Sequence, residues 1–180
     1  NVIGLKQNSS GNSGVVYVKS TGENQNGELL LDYTRWVMVK KRKPKDSDFK
    51  NQVPELSSKL NPFDLKIPDS LNFYNYDKSM AGSEKCFDSY SIGDFIDHVD
   101  GCTIHESDHI FATRLYQNTS RVHFDINVRD DNKRLIYGGH IISLVRALSF
   151  NGLENAQIIF GINGGSHVNP VFAEDTIYAW

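Results

Sequence analysis

The chain has 180 residues, with 39% hydrophobic and 23% charged residues and a formal net charge of −3. Those values are ordinary for a globular chain, and the slight acidity gives no reason to expect nucleic acid as a partner. No apolar run approaches the length of a bilayer span and no charged segment precedes a signal-like apolar one, so neither membrane nor secretion is expected. The two cysteines, Cys86 and Cys102, lack metal-ligand spacing and are expected as reduced thiols of a cytoplasmic protein. Both ends run through strand-like sequence, Asn1 at one and Tyr178-Ala179-Trp180 at the other. The chain is therefore expected to be a segment of a longer protein.

Val2–Lys6, Val15–Lys19 and Glu28–Lys41 are rich in β-branched and aromatic residues, and Asn26-Gly27 is a strong hairpin signal before the third. They predict three successive antiparallel strands. In the last, Leu29, Leu31, Tyr33, Val37 and Val39 share one face, and Leu30, Trp36 and Met38 the other. Apolar bulk on both faces predicts a central strand, or one packed on both sides. The basic run from Lys40 to Lys45 then enters a polar stretch broken by Pro54, Pro62 and Pro68. It reads as a solvated strand end leading into a long connection with little regular structure.

Beyond Tyr90, Ser91–Val99 is expected to contain a strand. Thr103-Ile104-His105-Glu106 has the form of a capping box opening a helix to about Tyr116, with Phe111 and Leu115 on one face. A polar loop, 117–134, follows, its tip the solvated run Arg129–Arg134. Gly138–Phe150 is the clearest helix, with Ile141, Leu144, Val145 and Leu148 at helical spacing and Ile142 and Ala147 widening the stripe. It should be well buried. Gln157–Ile162 and Thr176–Trp180 read as closing strands. Helices wrapped by antiparallel strands make an α+β class, and a buried helix held in a curling sheet narrows it to a hotdog-like fold.

The chemistry-bearing residues gather in 115–144. The polar loop presents Asn118 and His123 just before Gly138-Gly139 opens the apolar helix. A helix start without bulky side chains exposes unpaired N–H groups to a substrate oxygen, and an imidazole beside it can act as a base. Each residue has a plainer reading: a loop histidine for His123, a turn-making side chain for Asn118, a tight helix entry for the glycines. His140 and Ser143 lie one turn apart at the start of the helix, where lining a pocket competes with packing or capping. The six histidines form no spaced cluster with cysteines or carboxylates, so no metal is expected.

Long stretches of the chain resemble the MaoC-type acyl-CoA dehydratases that are built as a double hotdog. They include Gly14-Val15-Val16-Tyr17-Val18, Tyr33-Thr34-Arg35-Trp36-Val37-Met38-Val39, and Ile96-Asp97-His98-Val99-Asp100-Gly101. They continue through Ala112-Thr113-Arg114-Leu115-Tyr116-Gln117-Asn118-Thr119-Ser120-Arg121-Val122-His123-Phe124, Tyr137-Gly138-Gly139-His140-Ile141-Ile142-Ser143-Leu144, Leu148-Ser149-Phe150-Asn151-Gly152-Leu153 and Phe172-Ala173-Glu174-Asp175-Thr176-Ile177-Tyr178-Ala179-Trp180. The resemblance implies that 1–42 are closing strands of a first hotdog, 43–89 an inter-domain connection, and 90–180 the front of a second hotdog with the catalytic loop and central helix. It also implies reversible hydration of an α,β-unsaturated acyl-CoA thioester, with no cofactor beyond that thioester, in a homodimer or higher homo-oligomer.

In R-specific enoyl-CoA hydratases the corresponding loop reads Asp-x-Asn-Pro-x-His. Here His123 matches the histidine, while Asn118 stands in the aspartate position and cannot exchange a proton as a carboxyl can. Asp125 is the nearest substitute acid. The branch resembled most handles mesaconyl-CoA, whose free carboxylate favours a guanidinium partner, and Arg121 is the candidate. Surface solvation is the competing reading of Arg121, and a solvated helix face that of Arg114. A hotdog thioesterase and a non-catalytic structural half of a longer enzyme are the rival functions.

Overall fold

In a computed structural model, residues 1–43 and 49–180 are described, and the chain divides into two compact units, Asn1–Ser58 and Lys59–Trp180. Pro44 and Lys45, the end of the basic run, lie outside the described residues.

The first unit is a three-stranded antiparallel sheet in the order β1 (Val2–Gln7), β2 (Ser13–Glu23), β3 (Leu29–Lys40). The hairpin forms where Asn26-Gly27 places it. Asn24 Oδ1 accepts from the N–H groups of Asn26 and Glu28 at 2.9 and 3.0 Å. Gly27 takes a φ of 77°, a conformation that costs glycine little. The β2–β3 register sets Tyr17 opposite Trp36 with ring centroids 5.9 Å apart, a cross-strand aromatic pair. Residues 52–54 cross β1: Leu5 and Gln52 exchange two backbone hydrogen bonds of 2.8 Å. Gly4 permits that crossing, because a Cβ there would lie 2.5 Å from Pro54 Cδ. The expectation of a doubly packed β3 fails. It is an edge strand, and Leu30 and Met38 are 70% and 73% exposed. Its alternation of apolar residues is real, but among the described residues no helix or second sheet of the first unit lies over either face.

The second unit is built around two helices, α1 (Glu106–Leu115) and α2 (Gly138–Leu148), and a short antiparallel pair, β4 (Gly101–Thr103) with β5 (Thr176–Tyr178). Helix α2 packs on α1, β4 and β5. The core contains Ile104, Ala112, Ile136 and Ala179 together with His98, His109 and Thr113. Buried His98 is held by the loop after α2: its Nδ1 donates to the Asn151 carbonyl at 2.5 Å, and Asn151 Nδ2 donates to the His98 carbonyl at 3.0 Å. The segment before Tyr90 has only three-residue or four-residue 3₁₀ turns, yet it is fastened to the unit. Tyr76 Oη donates to Asn155 Oδ1, Asn155 Nδ2 donates to the Ser83 and Lys85 carbonyls, and Tyr90 Oη donates to the Gly152 carbonyl.

Four local expectations are corrected here. Ser91–Val99 holds no strand, because Gly93 and Val99 have positive φ (97° and 67°) and strand geometry begins only at Gly101. Thr103 is not an N-cap: it belongs to β4, its hydroxyl pairs with that of Thr176 at 2.8 Å, and His105 precedes α1 without a side-chain cap. Gln157–Ile162 is not a strand, and Ile158, Ile159, Phe160 and Ile162 are exposed. Helix α2 keeps its apolar stripe, with Ile141, Leu144, Val145 and Leu148 half-buried, but no residue of it is fully buried. Two three-residue strands cover too little of it.

Candidate active site

The site is assembled where the loop after α1 meets the start of α2. Leu135 N donates to the Val122 carbonyl at 3.0 Å, and Ile136 N to the Val171 carbonyl at 2.9 Å. These bonds tie the strand-like approach to α2 against the loop that carries His123. The His123 ring then bridges the two segments, with Nδ1 donating to the Leu135 carbonyl at 2.8 Å. A carbonyl only accepts, so Nδ1 carries a proton, and in the neutral ring the lone pair is on Nε2. That is the tautomer a general base needs, fixed by one backbone bond.

Tyr137 is the residue that joins His123 to the helix start. Its ring meets that of His123 edge-on, with centroids 5.8 Å apart, and it folds back across Gly139. A Cβ on Gly139 would lie 2.6 Å from Tyr137 Cζ and 2.7 Å from Tyr137 Oη. Gly138 is constrained from another side, since a Cβ there would lie 2.4 Å from His167 Nε2. A side chain at either glycine would therefore displace the ring of its neighbour, His167 or Tyr137. The Tyr137 carbonyl accepts from the N–H groups of His140 and Ile141. The N–H groups of Gly138 and Gly139 have no acceptor among the described residues. Two free donors at a helix N-terminus, reinforced by the helix dipole, favour a negatively charged oxygen.

Asn118 follows the end of α1, its N–H donating to the Thr113 carbonyl at 2.9 Å. Its Oδ1 accepts from Ser120 N at 2.9 Å, the turn-making contact, which leaves the Nδ2 hydrogens as donors. Arg121 is largely exposed and pairs with Asp125 at 2.5 Å. The Arg121 guanidinium, aided by Asn127 N–H, holds the Asp125 carboxyl below the usual carboxylate range. Asp125 is thus an anion at neutral pH with both oxygens engaged, a poor proton donor. His140 is half-buried in the first turn of α2. Ser143 is exposed, and its hydroxyl donates back to the Gly139 carbonyl at 2.9 Å.

No motif or apolar spacing in the sequence marks His109. It lies on the buried side of α1 with Ala112 and Thr113, 0% exposed, and its ring stands edge-on to that of His123 with centroids 6.3 Å apart. Neither ring nitrogen has a hydrogen-bond partner. Burial holds the imidazole below its ordinary range; Glu106 acts in the opposite sense, and His123, His140 and Arg134 act with burial. Arg134, expected in a solvated tip, instead pairs with Glu106 in a partly buried position. Arg129 and Lys133 lie over the Phe172 ring, each 5.4 Å from its centroid. Among the described residues no group of three or more His, Cys, Asp or Glu could hold a metal ion, and no helix is long and apolar enough to cross a membrane. Cys86 and Cys102 are free thiols.

No protein-family profile matches the chain. It is 55% identical over 179 residues to mesaconyl-CoA hydratase of Cereibacter sphaeroides, covering 99% of this chain and 52% of that protein. It is 53% identical over 182 residues to beta-methylmalyl-CoA dehydratase of Chloroflexus aurantiacus, again covering 99% and 52%. The crystal structure of a MaoC domain dehydratase from Chloroflexus aurantiacus superposes with a TM-score of 0.91 at 52% identity, over 99% of this chain and 52% of that one. A double-hotdog protein of Mycobacterium tuberculosis superposes with a TM-score of 0.57 at 22% identity, over 99% and 54%, and is alike in fold alone. The chain spans about half the length of the curated relatives it matches. Its fold is the α+β, MaoC-type double hotdog over the part that it spans.

Proposed function

We propose that the protein of this chain reversibly adds water to an α,β-unsaturated acyl-CoA thioester, with mesaconyl-CoA giving β-methylmalyl-CoA as the substrate pair. The observation that carries this reading is the His123 ring, anchored through Nδ1 to the Leu135 carbonyl so that Nε2 is the nitrogen left for substrate, beside a glycine helix start with two unaccepted N–H groups. The names of the similar proteins, mesaconyl-CoA hydratase and beta-methylmalyl-CoA dehydratase, support the choice of substrate.

In the hydration direction, His123 Nε2 takes a proton from water, and the water oxygen bonds to the β-carbon. The π pair of the double bond shifts toward the thioester, whose oxygen becomes negative. The Gly138 and Gly139 N–H groups hold that oxygen. The proton on Nε2 then passes to the α-carbon, restoring the carbonyl and returning His123 to its starting tautomer. A single oxyanion donor of this kind lowers a barrier by about 3 kcal/mol. Asn118 orients the water through Nδ2, and Arg121 receives the free carboxylate of the acyl group, with Asp125, His140 and Ser143 completing the substrate-binding side. One imidazole that accepts and returns the same proton needs no carboxyl acid, which accounts for an amide at position 118 and an ionised Asp125. The reaction requires no cofactor beyond the CoA thioester. We place it in the cytoplasm, in a homodimer or higher homo-oligomer.

The test is a hydration assay of the intact protein with mesaconyl-CoA, following both loss of enoyl-thioester absorbance and release of thiol. Hydration without thiol, reduced at least about 100-fold in a folded His123→Ala variant, is expected. Thiol release would move the assignment to a thioesterase, and full hydration by the variant would remove His123 as the base.

A further inference from the structure

We propose that Tyr137 is a further catalytic residue, its hydroxyl donating to the thioester oxygen together with the N–H groups of Gly138 and Gly139. This rests on the hydratase reading given above.

Three observations converge on the hydroxyl. Its oxygen sits 2.7 Å from where a Gly139 Cβ would be, so the phenol lies directly over the helix start. It has no hydrogen-bond partner among the described residues, and neither do the Gly138 and Gly139 N–H groups within the same turn. The same ring touches His123, 5.8 Å between centroids, so the hydroxyl is carried by a ring that also contacts the base. A phenol with an apolar body packed and its polar tip unpaired ordinarily finds a partner. Three donors gathered without an acceptor are suited to one incoming oxygen that gains negative charge.

The phenol differs from the residues assigned above in what it offers. It donates a hydrogen bond without transferring anything. In the hydration step the water proton still goes to His123 Nε2, the water oxygen still bonds to the β-carbon, and the electron pair still reaches the thioester oxygen. Tyr137 only stabilises the charge there and is released when the α-carbon is protonated. Gly139 then has a second purpose: any side chain there would displace the tyrosine ring.

The experiment compares the intact protein with its Tyr137→Phe variant in the mesaconyl-CoA hydration assay, with thermal melting as the folding control. The expected result is a kcat lower by about 10–100-fold, the lower part of the range for a lost oxyanion donor, with KM changed by less than about threefold. Incorporating para-aminophenylalanine at Tyr137 keeps an N–H donor at the same place, and it should recover a measurable part of kcat. An unchanged kcat in a folded Tyr137→Phe variant would overturn the proposal, as would a loss that the amino analogue does not relieve. Absence of hydration by the unsubstituted protein would instead sink the hydratase reading, so the two failures are separable.

Discussion

His109 shows what an unpaired polar group does to a small core. Its ring is sealed from solvent with both nitrogens unpartnered, and it faces Glu106 and Arg134 as well as the rings of His123 and His140. Because burial holds the folded imidazole below its ordinary range, the unfolded chain binds a proton at a higher pH than the folded one. Above about pH 6.5 both states are neutral and the group contributes no pH dependence. As pH falls below that, only the unfolded state gains the proton, and stability is lost by up to about 1.4 kcal/mol per pH unit. The expected outcome is a melting temperature that falls between pH 7 and pH 5.5, with a clearly shallower fall in His109→Leu. Parallel curves for the two proteins would mean that another group governs the acid response. This residue was not legible in the sequence, since helical spacing in α1 drew attention to Phe111 and Leu115. Phe111 is 69% exposed, and the face that packs is His109, Ala112 and Thr113. Small residues there let α1 approach α2, and periodicity of large apolar residues cannot register such a face.

At the scale of elements, legibility followed length. The hairpin at Asn26-Gly27 and the stripe of α2 repeat a pattern often enough to be read, and both stand where the pattern puts them. The strands β4 and β5 have three residues each, too few for a period, and their partners are far apart in sequence. The site itself was half legible: His123 and the glycine pair were visible as a motif, whereas Tyr137 and His167 matter through contacts that only folding creates. The start of α2 offers a test in which stability and function part. Alanine is favoured over glycine inside a helix by about 1 kcal/mol, yet a Cβ at Gly139 would lie 2.6 Å from Tyr137 Cζ. The Gly139→Ala variant should therefore melt within a few degrees of the parent while hydration drops by at least about 10-fold. Full activity with the methyl group in place would show that the position of the Tyr137 ring is not needed.

At the scale of the whole molecule, the first unit exposes more apolar surface than a lone sheet tolerates. On β3, Leu30, Trp36 and Met38 are 70%, 54% and 73% exposed, and the strand's outer edge has no neighbour among the described residues. Exposed hydrophobic patches on that scale mark contact surfaces, and an open edge invites pairing with another strand. Covering each large apolar side chain contributes about 1.5–3 kcal/mol before the entropic cost of association. The sequence announced this surface through the two-sided apolar pattern of β3. What it could not announce was that no described strand of the first unit pairs with its outer edge. The 180-residue chain alone should therefore self-associate as its concentration rises, seen as a growing sedimentation coefficient. Replacing Leu30 and Met38 together by lysine places charge at the two most exposed apolar positions of β3. That variant should stay monomeric over the same range. If parent and variant sediment alike, association runs through another surface, and the apolar face of β3 is not what holds the copies together.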